Sequence, residues 1–299
     1  LDCFLFIKGI SLIQKDEETP ANKSNVTEVK QGSEDWHKLR EGRLTSSCFA
    51  AALGFWGSNK LVQLWEEKVG LKEQFAGNEA TEWGRRHEFF AIERYQEASR
   101  NAVHSLGFKI YKEGDELQEW LGASPDGLIN EGENGIYEKC GILEVKCPYN
   151  NGRPELCMPW VSVPFYYMPQ VQGLMEILDR DWLDMFVWTL NGSCIFRMER
   201  NPQYWALIFG VLSDFWWVNV VPAKHTQRHG NANVNSHQPA GLHRLTSVVI
   251  GESKNVAKKA SLIWKGPPSI LGNISPTQEA CDLLVHEEGS QSSQALGSC

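Results

Sequence analysis

The chain is short of basic residues: 29 Lys and Arg stand against 37 Asp and Glu, a formal net charge of −8 over 299 residues. That balance counts against a broad phosphate-binding surface, which draws on cationic side chains. Carboxylates that hold metal ions would be neutralised when loaded, and what cations there are cluster at Lys38, Arg40 and Arg43 and at Arg85 and Arg86. The eight cysteines show no Cys-x-x-Cys and no regular spacing. This argues against a zinc ribbon, a disulfide framework and an iron–sulfur cluster. Reduced thiols in an intracellular protein are the expectation, with nucleus or organelle left open. The Asn-x-Ser/Thr triplets at Asn22, Asn25, Asn191 and Asn273 are then incidental. No run approaches the length of a membrane span, so no membrane partner is expected. Leu1 to Ile13 lacks a basic start and a small-residue cleavage site, which makes it a poor signal peptide.

What the chain has is apolar mass. Hydrophobic residues make up 42%, with 12 Trp and 13 Phe, enough for a sizeable core. Residues 1–30 read as an exposed leader, residues 31–222 as the folded unit, and residues 223–299 as a low-complexity, flexible tail rich in His, Asn, Gln, Ser and Gly. Within the folded unit the patterning predicts helices over 33–40, 46–53, 61–69, 79–100, 166–178 and 202–218. It predicts strands over 108–111, 117–123, 141–147, 182–190 and 193–199. That order implies an α/β class with a central mixed β-sheet flanked by helices.

Two segments carry chemistry. Ser124-Pro125-Asp126-Gly127 puts a carboxylate on a turn, and Leu143-Glu144-Val145-Lys146 puts a carboxylate and an ammonium on one strand. Side chains alternate across a strand, so Glu144 and Lys146 share one face while Leu143 and Val145 take the other. The flanking residues read as a buried strand, where charged groups are costly unless compensated. A bound divalent ion is one compensation. Two acidic oxygen ligands and a nearby cation to handle the attacking water are what a metal-dependent nuclease needs. Pro-Asp-Gly alone is a common turn, and Glu-Val-Lys alone is ordinary, so the argument rests on the combination.

Neighbouring helices offer polar groups on apolar stripes. Glu88 shares a helix face with Ala91, Ile92 and Tyr95, and Gly84, one turn earlier, leaves room for a partner. Tyr167 and Gln170 share a face with Val171 and Leu174, and a buried Gln requires a hydrogen-bond partner. Arg40 and Arg43 stand beside Thr45, Ser46 and Ser47 at a helix start, a combination suited to an anion. For the serines simple capping is the alternative, and for the arginines a solvated face.

In this order the elements resemble the lambda-exonuclease-type family, also called YqaJ-like viral recombinases, of the restriction-endonuclease-like PD-(D/E)XK nuclease superfamily. The matching segments are Trp36-His37-Lys38-Leu39-Arg40 with Thr45-Ser46-Ser47, Trp83-Gly84-Arg85-Arg86-His87-Glu88, Ser124-Pro125-Asp126-Gly127-Leu128, Leu143-Glu144-Val145-Lys146-Cys147-Pro148 and Tyr167-Met168-Pro169-Gln170-Val171-Gln172. The resemblance implies a restriction-endonuclease-like core with Asp126, Glu144 and the Val145 carbonyl as metal ligands. It implies that Lys146 orients or deprotonates the water, deprotonation requiring a depressed pKa. It gives Glu88 a second metal or its water shell, has Gln170 and Tyr167 steady the site, and has Arg40 and Ser47 grip a DNA 5′-phosphate.

The implied activity is Mg²⁺-dependent, Mn²⁺-tolerant 5′-to-3′ digestion of double-stranded DNA ends in recombination or repair. The implied partners are a single-strand annealing protein and further copies of the chain in a trimer. Two alternatives share the motifs: a structure-specific endonuclease, and a non-catalytic DNA-binding module derived from a viral recombinase. The segment from Ile129 to Cys140 is longer and more acidic than a tight hairpin, and no family motif follows Glu199.

Overall fold

Ser33 starts the first helix, α1 (Glu34–Glu41), by accepting the Trp36 N–H on its hydroxyl, with Glu34 and Asp35 in the first turn. In this computed structural model the described residues are Val29, 33–73, 75–130, 140–230 and 233–267. A short strand, β1 (Leu44–Thr45), and a 3₁₀ turn (Ser46–Cys48) lead into α2 (Phe49–Ala52), where a single helix over 46–53 was expected. Helix α3 (Ser58–Val69) follows. Helix α4 (Glu79–Ser99) begins with a reciprocal cap between Asn78 and Thr81 and ends where Arg100 takes a left-handed conformation at φ 60°.

The strands form two sheets. In the smaller, β4 (Leu121–Ala123) lies between β1 and β3 (Lys109–Ile110). The larger runs β2 (Ala102–His104), β5 (Gly127–Asn130), β6 (Gly141–Lys146), β7 (Trp182–Thr189), β8 (Gly192–Glu199) and β9 (Ser261–Gly266). Its β6–β7 pair is parallel and its other pairs are antiparallel, which makes the sheet mixed. The parallel step is bridged by α5 (Met168–Leu178), whose Pro169 sits in the first turn, where its missing N–H costs nothing.

Alternation along β6 divides the core. Ile142 joins the larger apolar cluster with Phe49, Trp65, Met168 and Val171, while Leu143 and Val145 join Ala91 and Tyr95 of α4 in the smaller one. Covered on both faces, β6 can hold polar side chains only where they find partners. A separate buried ion pair ties α4 to the sheet. Asp184 on β7 takes two hydrogen bonds from the directly opposed Arg197 on β8, at 2.8 and 3.0 Å, and a third from the Tyr95 hydroxyl at 2.8 Å.

Several expectations need correction. The strands expected over 117–123 and 141–147, on either side of Pro125-Asp126-Gly127, end in different sheets as β4 and β6, and β5, which starts at Gly127, was not expected. Residues 116–120 form turns, so only the end of the strand expected over 117–123 is extended. The helix α6 (Pro202–Asp214) does not stop at 218; it continues through a π-helical segment, Phe215–Val220, into α7 (Val221–Arg228). Pro222 cannot donate a main-chain hydrogen bond, and the widened turn before it accommodates that loss.

The continuous run Pro202–Arg228 is long and apolar enough to cross a membrane by length and composition, contrary to the reading that no run was. Tyr204, Trp205, Ile208, Leu212 and Trp216 of that run are buried in the core. The tail boundary at 222 is also overturned. Helix α8 (Thr246–Ala257) buries Val249 and Ser253, and β9 pairs with β8 to close one edge of the sheet. The fold therefore extends to Gly266. The proposed leader, save Val29, and the proposed tail beyond residue 267 lie outside the described residues.

Candidate active site

Strand β5 begins at Gly127, paired with Leu143 on β6. One residue earlier the Asp126 side chain takes over from the main chain: its Oδ2 accepts the Val145 N–H at 2.6 Å. Glycine is required at 127, because a Cβ there would stand 2.3 Å from Cγ1 of Val103. This seam pulls the turn carboxylate onto the edge of β6, beside Glu144.

Glu144 is 3% exposed. Its Oε1 accepts from Lys146 Nζ at 2.5 Å and from Gln170 Nε2 at 2.6 Å, so the strand's carboxylate, its ammonium and an α5 amide meet at one oxygen. Lys146 Nζ also reaches Gln170 Oε1 at 3.4 Å and lies 5.0 Å from the centre of the Tyr167 ring. The other oxygen, Glu144 Oε2, is buried and has no hydrogen-bond partner among the described residues. An orphaned carboxylate oxygen is costly unless a cation or donor meets it.

Glu88 projects from α4 toward the same point, close enough that its charge and those of Glu144 and Asp126 act on one another. Burial first, then the Glu144 and Glu88 charges, hold the Asp126 carboxyl well above the usual carboxylate range. Glu88 is raised by burial and by Glu144. Three acids that repel one another in a partly dry site outnumber the single ammonium of Lys146 among them.

The donor set fits a hard divalent cation: oxygen ligands only, with one oxygen already unpartnered. It is not a complete cage, since no three His, Cys, Asp or Glu groups among the described residues gather closely enough to hold an ion alone. Such ions, Mg²⁺ above all, complete their shells with water.

The sequence of residues 35–181 matches the model of the YqaJ-like viral recombinase domain. That segment, just under half of the chain, is similar to the domains of this family. The YqaJ-like segment contains every element of the site just described. A crystal structure of an alkaline exonuclease (LHK-Exo) from Laribacter hongkongensis matches with a TM-score of 0.51 at 21% identity, covering 66% of this chain and 97% of that one. The two share a restriction-endonuclease-like fold. LHK-Exo in complex with dAMP matches at 23% identity and TM-score 0.47, over 61% of this chain and 90% of that one. A phage related exonuclease from Haemophilus somnus 129PT matches at 13% identity and TM-score 0.41, over 70% and 96%. No curated protein matches the chain.

Lys146 departs from one expectation for the YqaJ-like domain. Burial would lower its pKa, but Glu144 and Asp126 outweigh burial and hold it above the ordinary lysine value. It is an ammonium donor here, and a cation among the carboxylates would push it back down.

The second group expected from sequence lies along α1. The Arg40 guanidinium rests 4.1 Å over the Trp36 ring and donates to Ser47 Oγ at 3.4 Å. Among the described residues no carboxylate pairs with it, whereas Lys38 pairs with Glu34, and Arg85 and Arg86 share Glu82. Arg43 is spent on the carbonyls of Glu119 and Leu39. Arg40 is thus held by a ring and a hydroxyl, while the Arg43 guanidinium is turned to main-chain carbonyls.

Two connecting residues were missed. Trp36 Nε1 donates to Ser124 Oγ at 3.1 Å, tying α1 to the turn that carries Asp126. Lys68 is buried on α3 and donates to the carbonyls of Arg40 and Arg43 at 3.2 and 2.7 Å, pinning the end of α1. Lys68 was detectable: it falls on the apolar stripe of Leu61, Leu64 and Trp65. Ser124 sits inside a quoted motif but gave no signal of its own. A Cβ at Gly84 would meet nothing within 4 Å, so this position of α4 is open.

Proposed function

We propose that this protein is a divalent-metal-dependent deoxyribonuclease that removes nucleotides 5′-to-3′ from duplex DNA ends. The observation that carries the reading is the meeting of Lys146 and Gln170 at Glu144 Oε1, with Asp126 held on the neighbouring Val145 N–H, while the buried Glu144 Oε2 stays unpartnered. Asp126, Glu144 Oε2 and the Val145 carbonyl would hold the cation, with Glu88 acting through its waters. When bound, such an ion supplies charge for the scissile phosphate and acidifies its water.

The chain's own groups do the rest. Gln170 fixes the Glu144 rotamer and accepts from Lys146, so the ammonium is held from two sides and keeps a third N–H for the attacking water or a phosphate oxygen. Water attacks phosphorus and the P–O3′ bond breaks, releasing a 5′-mononucleotide. The shortened strand then carries a new 5′-phosphate. Arg40 with Ser47 would grip that group, bidentate recognition of phosphate being what a guanidinium offers. A pocket for the end, refilled by each turnover, favours an exonuclease over an endonuclease on the same scaffold. Mg²⁺ is the expected natural ion, since the donors are all oxygen.

The test uses linear and circular duplexes with 5′-phosphates, incubated with Mg²⁺, Mn²⁺ or EDTA. Mononucleotide release from linear DNA alone, dependent on the ion, is expected. Cutting of circles would replace this reading with the endonuclease, and binding without hydrolysis would replace it with a DNA-binding module.

A further inference from the structure

A run of aromatic rings leads outward from Lys146. Its ammonium lies over Tyr167, whose ring centre is 4.7 Å from that of Tyr166, which in turn is 5.1 Å from Trp56. Trp160 stacks on Tyr167 at 5.4 Å and 22°, bracing the inner end of the run. The outer end is open, with Trp56 50% exposed.

This exposure is fixed by the backbone. Trp56 sits in a turn between Gly54 and Gly57, both at φ 82°, a conformation side chains resist. The turn is backed by α8 and the segment before it: the Thr246 hydroxyl donates to the Leu53 carbonyl at 3.0 Å, and a Cβ on Gly54 would come within 2.7 Å of Leu242. Leaving a tryptophan in water on a rigid turn forfeits burial that the same ring could have had. Lys254 of α8 lies 5.2 Å from the centre of the Phe165 ring, next in sequence to Tyr166.

We infer that Trp56 and Tyr166 form a stacking subsite for unpaired bases of the DNA strand whose phosphate lies at Lys146. This inference rests on the nuclease reading above. Continuity with the reacting centre identifies the occupant. The run is roughly as long as two or three stacked nucleotides at about 3.4 Å each, and every base offers a π-face to a ring. A chain threaded through the carboxylate site must pass its neighbouring bases somewhere, and this is where rings are in reach. Lys254 places an ammonium at the flank, suited to the backbone phosphates.

The test is a cycle between Trp56 and the base itself. Full-length protein in Ca²⁺ is titrated with 5′-phosphorylated duplexes whose unpaired end nucleotides carry either bases or abasic sites, and binding is read by anisotropy. Trp56→Ala is expected to weaken binding of the base-bearing end about ten-fold and to leave the abasic end unchanged. Trp56→Phe should keep most of the difference, and Tyr166→Leu should reproduce the loss without touching the turn.

Equal losses on both ends, or none, overturn the inference. So does a changed oligomeric state in Trp56→Ala with DNA binding intact, which would assign the surface to contacts between copies. A wild-type protein that neither binds nor cuts DNA removes the nuclease reading and this one with it. One that cuts DNA while Trp56 is indifferent to the base removes only the stacking subsite.

Discussion

Asp126→Asn separates the cost of the carboxylate cluster from its use. The Asp126 carboxylate is held above the usual range by burial and by the charges of Glu144 and Glu88. In the metal-free protein the folded state therefore keeps a proton there that the unfolded chain releases near pH 4, about the reference aspartate pKa. By linkage, stability falls as pH rises from that value through the raised folded-state pKa, the reverse of an ion-paired aspartate. Asparagine keeps the accepted Val145 N–H bond, now made at 2.6 Å to Oδ2, and removes the buried charge.

Relief of an uncompensated buried group is worth about 1 kcal/mol or more, which corresponds to a melting midpoint roughly 2–4 °C higher for a domain of this size. The expected calorimetric result in EDTA at pH 8 is a higher Tm for Asp126→Asn than for the wild type, with the gap closing as pH falls toward 4. Adding Mn²⁺ or Mg²⁺ should raise the wild-type Tm and leave the variant nearly unmoved, while DNA hydrolysis is lost. A lower Tm in EDTA, or equal stabilisation of both proteins by the ion, would refute the reasoning.

Glu144→Ala and Lys146→Ala should each abolish cleavage while leaving the circular dichroism spectrum intact; full activity in either would remove the residue from the reacting set. Arg40→Ala should slow digestion of 5′-phosphorylated ends by at least about ten-fold, the scale of a lost charge-assisted hydrogen bond, and spare 5′-hydroxyl ends; equal losses would argue against a phosphate pocket. Asp184→Ala removes the hydrogen bonds that Arg197 and the Tyr95 hydroxyl make to the carboxylate and should cost about 3 kcal/mol in urea unfolding, at the low end for a broken buried pair because the Arg197 side chain is 32% exposed. Gly173→Ala on α5 would place a Cβ 2.5 Å from Cε2 of Phe49 and should destabilise by about 1–3 kcal/mol through overpacking, without a selective effect on phosphorylated ends.

Much of this site was written in local pattern. Alternation alone put Glu144 and Lys146 on one face of β6, and helical period put Gln170 and Glu88 on stripes that meet the core, because those periods are properties of the backbone. Ser33 and Pro169 stand at helix starts by the same local chemistry. Pairing partners, by contrast, are chosen by chain segments far apart in sequence. That Pro-Asp-Gly passes between two sheets instead of closing a hairpin depends on β1 and β3 pairing with β4 while β2 and β6 pair with β5.

Composition misled after residue 222 for a related reason. Helix α8 and strand β9 are weakly apolar alone and owe their order to Thr246, Val249 and Ser253 packing on the body and to the free edge of β8. The sequence by itself determined which groups could do metal-assisted chemistry and which backbone faces would carry them. Only the tertiary structure decided that Asp126 reaches the Val145 N–H, that Glu144 Oε2 is left bare, and that Trp36 and Lys68 tie Arg40 to the same body. Those are contacts between residues up to dozens of positions apart, and local propensity holds no information about them.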